Sequence, residues 1–204
     1  MKRKEAMDHL ENTYVKEIIS KNLANLKMYA DSHKKELLLD ITDSFCEMCY
    51  QLSQKQSEYN HPQIGYLIYS FRRTYLLKRN YSYSFEAYDK NWFFDTTPYR
   101  TLYNASWAFQ YWENAWDELE IVRKRYMNLI HPPDVEWFIL RAADAFHQVI
   151  AELVEEAVIQ MLDMEPFSQI QKEAAFEIRI GEYKGISKVI YQTDPIRSKE
   201  IEYL

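Results

Sequence analysis

Glycine is nearly absent from this chain. Only Gly65, Gly181 and Gly185 occur in 204 residues, so neither GxGxxG nor GxxxxGK[ST] can be assembled, and nucleotide phosphate cradles built on those motifs are excluded. Proline is also sparse, with six residues; together these shortages favour long helices over a loop-rich or many-stranded fold. Cysteine is limited to Cys46 and Cys49, with no second pair to complete a four-ligand zinc site. They read as two small residues one helical turn apart. A basic balance is lacking too: the formal net charge is −6, which argues against general nucleic-acid binding. No hydrophobic run reaches transmembrane or signal-peptide length, and the opening Met1-Lys2-Arg3-Lys4-Glu5 leads directly into charged amphipathic sequence. A cytoplasmic, reduced protein with no membrane contact is the resulting expectation.

What the chain has in quantity is aromatic residues: seventeen tyrosines, ten phenylalanines and five tryptophans. Rings with a polar tip tolerate partial exposure and suit the boundary of a core. At this length one domain with its own core is expected, over residues 1–193, with a polar tail over 194–204.

Periodicity organises that domain around the stretch from Tyr99 to Met164. Leu102, Ala105, Phe109, Trp112, Trp116, Leu119, Tyr126 and Ile130 recur at helical spacing, and after His131-Pro132-Pro133 a second arm carries Ile139, Ala143, Phe146, Ile150, Leu153, Ala157, Met161 and Met164 on one face. These predict a long antiparallel helical hairpin. Earlier in the chain, Glu5 to Ala30 and a segment capped by Asp31-Ser32 read as two amphipathic helices, and a third starts at Asn60-His61-Pro62, with Leu67, Ile68, Phe71 and Tyr75 inward, reaching about Arg79.

Two stretches change period. Tyr81, Tyr83, Phe85 and Ala87 alternate with polar neighbours, followed by a turn at Asp89-Lys90-Asn91 and a return at Trp92-Phe93-Phe94; Phe176 to Ile180 and Ile186 to Tyr191 flank a second turn. The fold expected is α+β, mainly α, with about five helices and two β-hairpins forming one small antiparallel sheet.

Candidate chemistry centres on the helical pair. Arg123 breaks the apolar register of the first arm, and a tight turn at the prolines places it near Arg141 to Asp144. Asp144 lies three residues before His147, so the two share a helix face, and His147 falls in the apolar arc with Leu140, Val154 and Val158. Arg123, Asp144 and His147 therefore form a candidate semi-buried cluster, either a satisfied ion pair or an imidazole set up for proton transfer. Arg72, Arg73 and Arg79, interleaved with Tyr75, form a candidate ligand-binding patch of cations and rings.

Arg141 and His147 also stand in an Arg-x5-His spacing. This resembles the Arg-x4–6-His signature of the HEPN ribonuclease superfamily, which implies RNA cleavage by acid–base chemistry at a dimer interface; Ala142 stands where a polar residue is usual. No metal site is assembled, since only Asp144-x-x-His147 has the form a di-iron bundle repeats, and no cofactor is expected. The leading functional expectation is a non-enzymatic protein-interaction or small-ligand-binding domain, with a protein partner or self-association as a homodimer. The alternative is a hydrolytic or nucleic-acid-acting enzyme using Arg123, Arg141, Asp144 and His147.

Overall fold

The computed structural model describes residues 2–59 and 61–193. It is α+β and about 62% helical, with a five-stranded sheet. The chain divides into two compact units. The first takes in the chain up to Lys34, Arg73–Tyr81 and Ala105–Ile150; the second takes in Lys35–Arg72, Ser82–Asn104 and the chain from Ala151 on. The tail expected over 194–204 lies outside the described residues.

In the first unit, helix α1 runs as Arg3–Leu10, a π-helical turn Glu11–Val15, and Lys16–Ser32. Its buried positions are Ala6, Leu10, Val15, Ile18, Asn22, Leu26 and Ala30. The steps are three or four residues except for the five from Leu10 to Val15, and the π turn falls on that step. A wider turn absorbs the extra residue and keeps both ends of the stripe on one face.

Helix α2 spans Lys34–Tyr59 and the short α3 spans Arg73–Leu76; the latter is followed by Arg79 in a left-handed conformation. Helix α4, Ser106–Arg123, buries Phe109, Trp112, Trp116 and Leu119 as the periodicity predicts. It ends in a 3-10 turn at Lys124–Tyr126, with Met127 and Asn128 left-handed before the prolines. Helix α5, Pro132–Met161, supplies residues to both units. Trp112 Nε1 donates to the Ile139 carbonyl at 2.8 Å and so ties α4 to α5. Asn22 and Lys21 of α1 both donate to Glu118 of α4, at 3.1 and 2.5 Å.

The second unit is built on the sheet. Strands β1 Ile64–Phe71, β2 Ser82–Tyr88, β3 Tyr99–Asn104, β4 Lys172–Glu182 and β5 Ser187–Gln192 lie in the order β3-β2-β1-β4-β5. Neighbours are antiparallel except β1 and β4, which are parallel, with Leu67 opposite Ile178 and Tyr69 opposite Ile180. One face carries Leu67, Tyr69, Phe85, Ala87, Phe176, Ile178 and Ile180, all buried. Phe45 of α2 packs 5.7 Å from Phe85 and 5.6 Å from Phe167, which lies in the short helix α6, Glu165–Ser168. The opposite face carries Ser70, Ser84, Glu86, Arg100 and Arg179, set by the same two-residue alternation.

Several expectations are corrected here. Residues 64–71 form a central strand and not a helix: Ile64-Gly65-Tyr66-Leu67-Ile68-Tyr69 is a nearly continuous apolar run buried on both faces, which helical and strand templates fit equally well until a partner strand is present. Tyr99–Asn104 is also a strand, so α4 begins at Ser106 and not Tyr99; Tyr99 and Tyr103 are buried while Arg100, Leu102 and Asn104 are exposed. Trp92–Phe94 is a 3-10 turn and not a return strand. The sheet is mixed where an antiparallel one was expected, and the helices among the described residues number six where about five were expected. The second hairpin, β4–β5, is as expected. No helix among the described residues is long and apolar enough to cross a membrane.

Gly181 is where the sheet leaves no room for a side chain. A Cβ there would lie 2.2 Å from the Ile186 carbonyl oxygen and 2.5 Å from Ser187 Cα, both backbone atoms, whereas at Gly185 the nearest atoms belong to the flexible Glu182 side chain at 3.2 Å. Gly181→Ala is expected to cost about 2–3 kcal/mol by forcing β5 away from β4, and Gly185→Ala less than about 0.5 kcal/mol. Urea unfolding followed by circular dichroism measures both, and equal losses would contradict the close strand approach.

Candidate functional site

The residues singled out from the sequence fall into separate groups. Arg123 Nε donates to Glu120 at 2.8 Å on its own helix and not to Asp144. The expected level pairing assumed a tight turn at the prolines, and the 3-10 turn with its two left-handed residues lengthens that connection. Asp144 instead accepts from Arg73 Nη2 at 2.8 Å, while Arg73 Nη1 donates to the Leu140 carbonyl at 2.6 Å. The Asp144 carboxylate is 63% exposed, so the cluster is not a buried ion pair.

His147 lies beside this pair, largely enclosed. Burial pushes its pKa down from 6.5 to about 4; Asp144 pulls it up and Arg73 lowers it further. A ring held neutral at pH 7 with a pKa near 4 is a weak proton acceptor, far from the range that suits a general base. Arg141 stands elsewhere on the helix, so the structure does not gather Arg141 and His147 at one point. Its guanidinium meets Glu11 at 3.6 Å and lies 4.4 Å from the Trp137 ring centroid.

The basic patch is also divided. Arg72 directly follows β1 and belongs to the second unit, whereas Arg73 opens α3 and belongs to the first. Arg79 Nη2 donates to Asp117 at 2.7 Å and Nη1 donates to Glu113, with the guanidinium 5.3 Å from the Trp116 ring. The hydrogen bond that Arg79 donates to Asp117 leads in raising its pKa, over opposing desolvation. Tyr75 sits half-buried on α3. Arg72 turns onto the polar face of the sheet, where Glu86 is 1% exposed and accepts from Arg72 Nη2 and Ser70 Oγ, at 3.2 and 3.3 Å, and from Arg100 Nε. Arg72 also stacks 3.4 Å from the Tyr183 ring centroid. The Glu86 carboxylate is committed to these donors, which makes it a fastener for β1, β2 and β3.

What the sequence did not single out is the surface around the π turn. On one side of it Glu11, Val15, Lys16, Ile19, Ser20, Phe138, Arg141 and Ala142 line a groove of about 320 Å³. Val15, Phe138 and Ala142 are buried and make an apolar floor; Glu11, Lys16, Ser20 and Arg141 form a polar rim with one net positive charge at pH 7. On the other side His9, Tyr14, Arg125 and Tyr126 line a second depression of similar volume. There the His9 Nδ1 and Tyr126 Oη lie 2.7 Å apart, and Arg125 lies 5.7 Å from the Tyr14 ring centroid. The π turn feeds both, since Glu11 and Val15 face one and Tyr14 the other. The signal that would have found it is the five-residue step from Leu10 to Val15 in an otherwise regular stripe.

Arg141 is the informative member. It is 56% exposed, its ion pair with Glu11 is long, and the Trp137 ring orients its guanidinium without satisfying its five donors. An oriented, incompletely satisfied cation above an apolar floor suits an anionic head on an apolar body. No group of three or more His, Cys, Asp or Glu suited to a metal occurs among the described residues.

No family model matches this chain, and no curated protein and no solved structure matches it either.

The depressed pKa of His147 gives a stability signature. The folded state disfavours the protonated ring, so the unfolded state binds the extra proton; stability contributed by the neutral ring is present above pH 6.5 and lost as pH falls towards about 4. The difference in unfolding free energy between wild type and His147→Gln should shrink by about 2–3 kcal/mol from pH 7 to pH 4. A difference independent of pH would remove His147 from its enclosed position.

Proposed function

We propose that this chain is a non-enzymatic binding protein and that the groove beside the π turn takes a small organic anion with an apolar body. The observation that carries the reading is Arg141, half-exposed and oriented by Trp137 above the floor formed by Val15, Phe138 and Ala142. The volume of about 320 Å³ lies at the lower end of ligand pockets, which suits a compact ligand. A guanidinium recognises a carboxylate through two parallel hydrogen bonds, and the apolar floor supplies binding energy that does not depend on charge. The long Glu11 contact is then exchanged for the ligand carboxylate when it binds.

The enzymatic alternative is supported less well. It needs His147 to exchange protons near neutral pH beside Arg141 or Arg123, and the depressed pKa of the ring and the separate partners of those arginines argue against it. Self-association or a protein partner is a second reading, favoured by the exposed apolar side chains Phe94, Leu102 and Ile186 of the second unit. Sedimentation of wild type against a Phe94→Ser, Leu102→Ser, Ile186→Ser variant tests it: a concentration-dependent dimer lost in the variant supports self-association, and a wild-type monomer throughout removes it.

Calorimetric titration with octanoate, and with octan-1-ol as its uncharged counterpart, tests the ligand reading. Octanoate is expected to bind wild type, Arg141→Ala to weaken it about tenfold without altering octan-1-ol, and Ala142→Trp to fill the floor and abolish both. Equal octanoate affinity in wild type and Arg141→Ala would overturn the assignment.

A further inference from the structure

Helix α2 carries Thr42, Cys46 and Cys49 at steps of four and three, so the three side chains share one stripe. Cys49 is fully buried and Cys46 is half-buried, and both are free thiols. Met164, the residue just before α6, brings a third sulfur: Cys46 Sγ donates to Met164 Sδ at 3.2 Å. The three sulfurs come from two separate parts of the second unit, with Met164 against Cys46 and Cys49 one helical turn further along the same face, and Cys46 gives the group access to solvent.

The groups around the sulfurs are unusual for an apolar core. The Tyr69 side chain on β1 is 1% exposed, and its hydroxyl has no hydrogen-bond partner among the described residues. Its ring stacks 3.9 Å from that of Phe85, which lies 5.7 Å from Phe45 of α2, one helical turn before Cys49, so Tyr69 packs beside the stripe that carries the thiols. The hydroxyl of Thr42, on the same stripe as the cysteines, is likewise buried without a partner. Buried hydroxyls are normally satisfied, and those that are not call for an explanation such as an unseen ion. Two of them along the stripe that carries Cys46 and Cys49 point to a charged species that the thiols form when something binds.

We propose that Cys46, Cys49 and Met164 form a three-coordinate site for a copper(I) ion. Thiolate and thioether sulfurs are soft donors, and a thioether selects copper(I) over zinc, which takes four ligands drawn from thiolate, imidazole and carboxylate. Binding is an exchange of protons for metal: each cysteine loses its proton to solvent, two Cu–S bonds form to the thiolates, Met164 adds a third from a lone pair, and no electron is transferred. At a metal–sulfur length of about 2.3 Å, trigonal coordination sets the sulfurs about 4 Å apart. The Cys46–Met164 pair needs to open by less than about 1 Å, within reach of side-chain rotation. The bound thiolates then supply the acceptor that the Tyr69 hydroxyl lacks, the outer-shell hydrogen bond that steadies metal ligands.

The charges around the site suit the exchange: Asp43 beside Cys46 favours an incoming cation, and Lys172 beside Cys49 favours the thiolate that receives it.

The test is anaerobic titration of the full chain with copper(I) buffered by bicinchoninate, read by loss of the colour of the copper–bicinchoninate complex and by sulfur-to-copper charge-transfer absorption. Wild type is expected to withdraw one equivalent, and Met164→Leu to bind about tenfold more weakly with an unchanged far-ultraviolet dichroism spectrum. Cys49→Ser is expected to abolish uptake. Tyr69→Phe is expected to raise the melting temperature of the metal-free protein, since it removes the unsatisfied hydroxyl, and to weaken copper severalfold. The proposal is overturned if wild type draws no copper from the buffer, if Met164→Leu binds as tightly as wild type, or if zinc(II) displaces copper at equal concentration. Because Met164 is only half-buried, that variant keeps the test decisive even where Cys49→Ser does not fold.

Discussion

The parallel pairing of β1 with β4 is the interaction on which the second unit depends. It joins the meander β1-β2-β3 to the hairpin β4-β5, and without it β4-β5 would be an isolated two-stranded hairpin, which is marginal in water. It also makes β1 a central strand, which is why its sequence is apolar on both faces and why Ser70 and Glu86 sit enclosed on the polar side. The cost is connectivity: about a hundred residues separate the paired strands, and they include most of the first unit. Pairing at that separation must pay its loop-closure entropy before its hydrogen bonds are gained, so the sheet is expected to form late in folding.

In the first unit the corresponding constraint is the extra residue between Leu10 and Val15. A strictly α-helical α1 would rotate the stripe from Val15 onward away from that of Ala6 and Leu10. The π turn restores the alignment and leaves a local widening of the helix surface, on which both depressions open. A packing solution and a candidate binding surface thus have one origin, which also explains why the floor of the groove is apolar: Val15 and Phe138 belong to the core stripe as well.

The ionisable groups illustrate how little charge spacing along a sequence says about chemistry. Arg72 and Arg73 are adjacent, yet one fastens Glu86 on the sheet and the other reaches Asp144 on α5. Arg79, within the same basic cluster, pairs with Glu113 and Asp117. Each cation is neutralised by carboxylates from other elements, so no common positive patch is formed. Arg141 differs because its carboxylate partner is distant and its ring partner accepts no hydrogen bond.

The amphipathic helices and the β4–β5 hairpin were legible in the sequence because their burial follows one short period, set by helical or strand geometry acting on neighbours a few residues apart. The α+β class followed from the same patterns, together with the scarcity of glycine and proline. Tertiary structure alone decided that 64–71 and 99–104 are strands, since both windows also satisfy a helical template and only a partner strand across the sheet separates the two. The same applies to the pairing of Asp144 with Arg73 of α3, 71 residues away, and to the meeting of Met164 with Cys46 across 118 residues. Periodicity reports which side of an element faces inward; it carries no information about which distant element meets it there, because that choice is made by packing of the whole unit.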